Sequence, residues 1–326
     1  MDRRTFIGTL IGSLLTVPPA ARAQQTGKVS VVGVLSPQVG PRTSTIDAAR
    51  QGLRDLGYVE GKNIAFEVRF AGGKPETFPS LAANLVQRKV DVLFAIGPAA
   101  LRAARDATST IPIVAIDLES DPVEAGFARS FAHPGGNITG FFLDQPSLTG
   151  KWLELIREAV PGVRRIAVLV DTTTGPWQLA SIQRTAEKLG IELQVLEVRN
   201  SGELDQALRG AVKGRSLALV TLSSPLFDGL PGVKQIAEFT MEHRLPAISF
   251  SRTFAADGGL MAYGPNRAED HKRSPIYIDK ILRGAKPADL PIEQPTKFDF
   301  VINLKTAKAL GLTIPQSLRV QAELIE

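Results

Sequence analysis

The chain has 326 residues, 44% of them hydrophobic and 22% charged, with a formal net charge of +5, three histidines and no cysteine. The absence of cysteine excludes disulfides, thiolate metal sites, a cysteine nucleophile and a lipid-modified cysteine anchor. The basic residues are dispersed, as in Arg50, Arg54, Lys62 and Arg69, and so modest a charge without a basic block implies no nucleic-acid partner.

In chain order, the first element is an export segment. Arg3-Arg4 leads into the apolar stretch Phe6–Val17, and Ala21-Arg22-Ala23 supplies the small-x-small pattern cut by signal peptidase. The stretch is shorter than the roughly 20 residues of a membrane span. Residues 1–23 are therefore expected to be removed, leaving Gln24 first in a periplasmic protein of formal charge +3. Asp2-Arg3-Arg4-Thr5-Phe6-Ile7 resembles a twin-arginine signal, with Asp2 where Ser or Thr is usual; an ordinary Sec signal with two n-region arginines is the alternative.

Beyond it, short Val/Ile/Leu runs alternate with segments of helical period, the pattern of βαβ units. Val29–Leu35 reads as a strand covered on both faces. Ile46, Ala49, Leu53 and Leu56 share a helical face that Gly57 ends. Ile64, Phe66, Val68 and Phe70 alternate with polar neighbours, as in a half-exposed strand near a sheet edge. A helix over residues 78–88, a strand over 90–96, a helix over 99–107 and a strand over 111–116 complete the first series.

After His133-Pro134-Gly135-Gly136-Asn137 and a short strand, Ile138–Phe142, the layout repeats, with strands at 166–170, 191–198, 217–222 and 247–250. A helix at about 268–284 and a strand at 298–303 follow, so the chain is expected to cross between units more than once. The fold read from this pattern is α/β: two doubly wound parallel-sheet lobes joined by a hinge. The expected division is residues 24–136 with about 265–295 in the N-terminal lobe, and 137–264 with about 296–326 in the C-terminal lobe.

Three long stretches and a fourth, composite one carry a family resemblance. They are Gly52-Leu53-Arg54-Asp55-Leu56-Gly57-Tyr58-Val59-Glu60-Gly61-Lys62-Asn63-Ile64, His133-Pro134-Gly135-Gly136-Asn137-Ile138-Thr139-Gly140 and Gly258-Gly259-Leu260-Met261-Ala262-Tyr263-Gly264-Pro265-Asn266. The fourth runs from Ile278-Asp279-Lys280-Ile281-Leu282 through Gln294–Phe298 to Ile302–Leu312. On these the chain resembles the ABC transporter substrate-binding proteins with a type I periplasmic-binding fold, in the subfamily that includes tryptophan-binding receptors. The resemblance implies a monomeric receptor of an ABC importer, without cofactor or lipid anchor, that closes on a small solute and serves an inner-membrane ABC permease. Pro275, where the family has an alanine-rich helical segment, is expected to kink the helix or delay its start.

Ligands of open parallel sheets sit beyond the carboxyl ends of the strands. The residues there are Ser36, Gly97, Pro98 and Asp117 in the first half, and Asp171, Thr172, Ser223, Ser224, Ser249 and Ser251 in the second. Hydroxyls and helix N-termini suit a carboxylate, and Asp117 or Asp171 an ammonium, which together fit an amino acid or small organic acid. Helix capping is the alternative role for each hydroxyl. Trp177 and Tyr263, ahead of Phe142 and Phe227, are the aromatic candidates for stacking on a ring, and Arg252 a candidate carboxylate partner. An enzyme is disfavoured: His133, His243 and His271 lie in unrelated contexts, and no nucleophile elbow, zinc-binding His-Glu-x-x-His, P-loop or dinucleotide fingerprint occurs. A periplasmic sensor feeding a membrane kinase would have the same lobes, and a carboxylate-only hydrolase built on Asp117 and Asp171 is a further alternative.

Overall fold

Strands flanked by helices on both faces must be apolar throughout, and that requirement organises the computed structural model, which describes residues 29–38, 44–118, 121–143, 145–229 and 231–326. The export segment, residues 1–23, lies outside the described residues.

The first series runs β1 (Ser30–Ser36), α1 (Ser44–Asp55), β2 (Ile64–Phe70), α2 (Phe78–Gln87), β3 (Val92–Ile96), α3 (Pro98–Ala107), β4 (Ile113–Leu118) and β5 (Ile138–Phe142). The second runs α4 (Gln145–Ala159), β6 (Arg165–Asp171), α5 (Trp177–Leu189), β7 (Glu192–Val198), α6 (Leu204–Lys213), β8 (Ala218–Thr221), α7 (Pro225–Asp228), α8 (Gly232–Glu242), β9 (Ala247–Ser249), α9 (Arg252–Ala256) and β10 (Met261–Pro265). The tail adds α10 (Arg267–Leu282), β11 (Phe298–Asn303), α11 (Leu304–Ala309), α12 (Gln316–Arg319) and β12 (Glu323–Ile325).

These strands form a five-stranded sheet, β2-β1-β3-β4-β5, and a seven-stranded sheet, β12-β11-β10-β9-β8-β6-β7. Neighbours are parallel except β10 and β11, which run antiparallel. β2 is an edge strand, as its alternating pattern implies. The strand Ile138–Phe142, expected in the second lobe, instead pairs with β4, from Ile113↔Ile138 to Leu118↔Phe142. All five of its residues are buried, and it covers an edge of β4 that would otherwise stand open. The lobe boundary therefore falls after β5, at Phe142, rather than at 136, and Leu143 already packs in the core of the second lobe.

The chain passes between the sheets three times: from β5 to α4, from β10 to α10 and from α10 to β11. α10 packs on α1, beside β3, β4 and β5, and continues unbroken through Pro275. The proline ring seats on Gly52, where a Cβ would approach its Cγ to 2.4 Å, so the missing side chain on α1 is what admits it. On the last crossing, Glu293 adds one residue of pairing to β5, its N–H donating to the Gly140 carbonyl at 2.9 Å and its carbonyl accepting from the Phe142 N–H at 2.8 Å. Tyr277 packs edge-on against Phe141, its hydroxyl 2.7 Å from the Glu293 carboxylate, and Arg273 pairs with the same carboxylate. The crossing is thus anchored to the first lobe.

Asn303 closes the tail onto the second lobe. Its Oδ1 accepts from the Thr306 N–H at 2.9 Å, capping α11, and its Nδ2 donates to the buried Ala255 carbonyl at 3.0 Å. Asn303→Ala is expected to cost about 2 kcal/mol, combining a lost cap with a buried carbonyl left unpaired. Asn303→Asp, which keeps the cap and loses the donor, should cost less. The urea midpoint measures both.

Candidate ligand-binding site

Each sheet has a point where the chain reverses its direction of winding, and loops on either side of it diverge to leave a crevice. In the first sheet the point lies between β1 and β3; in the second it lies between β6 and β8. The two crevices face one another across the lobes. Between them is a cavity of about 160 Å³, lined by the loops after β1 and β3 on one side and β6 and β8 on the other, with a side pocket of about 40 Å³.

On the first lobe, Gly97 turns the chain with φ of 87° and Pro98 starts α3. Only glycine adopts that backbone without strain. Gly97 has no side chain with which to cap the helix, so the N–H groups of Ala99 and Ala100, both lining the cavity, are left without intrahelical partners. Positive partial charge and donors without intrahelical partners thus converge on one wall.

Asp171 stands on the opposite wall, 4% exposed. Its Oδ1 accepts from the Thr173 N–H at 2.8 Å and the Thr173 hydroxyl at 2.7 Å, while the Thr174 hydroxyl donates to its carbonyl at 2.7 Å. Among the described residues no group bonds Oδ2, which remains available to a cation in the cavity.

Ser223 and Ser224 border the side pocket. Gln178 holds the Ser223 peptide at both ends, accepting from its N–H and donating to its carbonyl, each at 2.9 Å. The Ser223 hydroxyl donates to Asp228 Oδ2 at 2.9 Å, which also accepts from the Ser224 N–H at 3.1 Å. Ser224 caps α7, its Oγ accepting from the Leu226 and Phe227 N–H groups. The capping role holds for Ser224, and Ser223 contributes a fixed polar wall. Pro37, Phe78, Ile96, Leu204 and Pro225 make much of the remaining lining apolar and stiff.

The structure therefore brings Gly97, Pro98, Asp171, Ser223 and Ser224 together, and not the rest of the candidate set. Ser36 is buried behind the loop, its Oγ 3.4 Å from the Gln38 N–H and its carbonyl accepting from Ala71. Thr172 is exposed, and Thr173 and Thr174 line the cavity in its place. Trp177, 40% exposed in the first turn of α5, is outside the lining. Ser249 ends β9 and Ser251 follows it, two strands from β6, which at about 4.8 Å per strand sets them roughly 10 Å aside. Tyr263 lies one strand further: it packs against the core of the second lobe, its ring stacks on the exposed Phe298 at 5.9 Å, its carbonyl accepts from Trp152 Nε1, and burial pushes its phenol pKa up. Phe142 and Phe227 are core, and Arg252 pairs with Glu323 through both terminal guanidinium nitrogens. Asp117 falls where the β4–β5 register slips, and its side chain lies outside the described residues.

Sequence reasoning missed the loops after β2 and β7, which bring Gly72, Lys74, Arg199 and Ser201 to the cavity, and the start of α8 with Gly232 and Gln235. β2 and β7 occupy equivalent places beside β1 and β6, so their loops were open to the same argument applied to the other strand ends.

Two lobes of mainly parallel sheet, enclosing an amphiphilic cavity at facing switch points, define a solute-binding protein of the type I periplasmic fold. The chain belongs to the ABC transporter substrate binding protein family, whose profile matches residues 28–325. It is similar to a tyrosine-binding protein of Clostridioides difficile, 29% identical over 275 residues that span 82% of this chain and 78% of that one. It superposes with a TM-score of 0.81 on the ABC domain in complex with L-Trp from Streptococcus pneumonia, at 23% identity, covering 92% of this chain and all of that one. Against the ligand-free, open structure of a substrate binding protein with adhesive properties from Clostridium difficile the TM-score is 0.60, at 25% identity and coverage of 91% and 99%. The cavity is lined by residues of both lobes. No helix among the described residues is long and apolar enough to cross a membrane.

Proposed function

We propose that this chain is an exported receptor of an ABC importer, binding an amino acid with an apolar, aromatic side chain between its lobes and presenting the closed form to an inner-membrane permease. The observation that carries the reading is the pair of opposed poles in one cavity: the Asp171 carboxylate on one lobe and the uncapped N-terminus of α3 on the other. An ammonium on Asp171 and a carboxylate on the Ala99 and Ala100 N–H groups use both. A ring then lies along Pro37, Phe78 and Leu204. Binding groups divided between lobes make the closed state the one with affinity, which is what couples occupancy to shape. Export rests on residues 1–23, and the absence of cysteine supports a protein free in the periplasm.

The test is a thermal-shift screen of the mature protein against amino acids, aromatic acids and other small metabolites. A ligand at a hundred times its Kd adds about 2.7 kcal/mol, a rise of several degrees in Tm. L-tyrosine and L-tryptophan are expected among the solutes that raise it. If no small solute moves the transition and none co-purifies, the receptor reading fails.

A further inference from the structure

We propose that Arg102 is a positioning residue that latches the closed lobes through the turn carrying Asp171; the inference rests on the reading of Asp171 as a ligand contact. Arg102 lies on α3, in the first lobe, and its Nη2 donates to the Thr173 carbonyl of the second lobe at 2.6 Å. Thr173 is thereby used from two sides. Its N–H and hydroxyl donate to Asp171 Oδ1, and its carbonyl receives the guanidinium.

The turn is assembled within its own lobe. The Asp171 side chain accepts from the Thr173 N–H and hydroxyl, the Asp171 carbonyl accepts from the Thr174 hydroxyl, and the Thr172 N–H donates to the Val198 carbonyl in β7. The Thr173 carbonyl is consequently held out in a fixed direction. Arg102 is carried by α3, the same helix whose N-terminus faces the cavity, and nearby a Cβ on Gly97 would stand 3.6 Å from Pro225 of the opposite lobe. The bond spans the two lobes, so it forms as they close and is lost as they open. Its whole contribution is differential between the two states, the property a latch requires. A hydrogen bond from a charged donor to a half-buried carbonyl is among the stronger kinds. A guanidinium also has the reach and fixed fork that an ammonium lacks.

A ligand ammonium on Asp171 Oδ2 and the guanidinium on Thr173 then brace one turn from opposite sides. The consequence is that Arg102 sets how long the closed state lasts without touching the ligand.

The chain's lack of cysteine permits a direct test. Lys62→Cys and Lys188→Cys place one spin label on an exposed site of each lobe, and pulsed dipolar spectroscopy reads the distance between them without ligand, with L-tyrosine and with L-tryptophan. The parent is expected to show a short-distance, closed population. Arg102→Ala should lower the closed-to-open ratio about tenfold, with an unchanged circular-dichroism spectrum, and should raise the dissociation rate of a bound amino acid. Arg102→Lys, which keeps the charge and shortens the fork, should fall between. An unchanged ratio in Arg102→Ala, or no closed population in the parent under any of the three conditions, overturns the latch. If Arg102→Ala lowers the ratio while neither amino acid alters it, the latch stands and the amino-acid reading falls.

Discussion

Asp171→Asn is expected to weaken binding of an amino acid by at least thirtyfold while leaving the ligand-free protein folded. Asparagine keeps an oxygen in the place of Oδ1, so the Thr173 N–H and hydroxyl retain their acceptor and the turn persists. What disappears is the charge facing the cavity, on a side chain 4% exposed. A ligand ammonium drawn from water into that site without its counter-ion loses about 2–5 kcal/mol, thirtyfold to several thousandfold in Kd. Isothermal titration with L-tyrosine and L-tryptophan reads the change, and the ligand-free melting temperature checks the fold. An Asp171→Asn protein of unaltered affinity would put the ammonium elsewhere and remove the central element of the proposed binding mode. The contrast with Arg102→Ala is in kind: the asparagine substitution acts on a group that touches ligand, the alanine substitution on the lifetime of the closed state.

Most of the fold is legible in the sequence because a two-face-buried strand has to be apolar along its whole length. Val29–Leu35, Val90–Ile96 and Ile166–Val170 announce themselves in that way, and each is a central strand. The antiparallel pairing of β10 and β11 and the membership of β5 were not legible, because both depend on which edge a strand meets in space. The site divides along the same line. Choosing the loops that leave strands found Gly97, Asp171 and Ser223, since chain position alone says which residue follows a strand. Spatial strand order decides which loops meet. It sets β9 and β10 outward of β8, taking Ser249, Ser251 and Tyr263 away, and it sets β2 and β7 beside the switch points, adding Lys74 and Arg199. Trp177 illustrates a different limit: a residue two places after a loop glycine reads as a ligand contact, but helix phase turned it to the surface.

Gly140→Ala is expected to be the most damaging single-methyl change in the segment joining the lobes. Gly140 sits in the middle of β5 with φ of +136°, a region L-residues rarely enter, and a Cβ there would lie 2.1 Å from the Ala115 carbonyl oxygen and 2.7 Å from the Ala115 nitrogen. Those atoms belong to the backbone of β4, which is paired on both sides, so unlike a flexible side chain they have nowhere to go. Backbone strain of about 1–3 kcal/mol and overpacking of similar size give a loss of about 4 kcal/mol, roughly 10 °C in melting temperature. The damage should reach the hinge, because the Gly140 carbonyl holds the Glu293 N–H through which the chain last crosses between lobes. Gly136→Ala is the control within the same sequence stretch: a Cβ there meets nothing within 4 Å and φ is outside the left-handed range, so its effect should stay within about 0.5 kcal/mol. Equal melting temperatures for the two variants would mean that β5 is free to shift off β4. In that case the edge of the first sheet, rather than a fixed seam, would absorb the motion of closure.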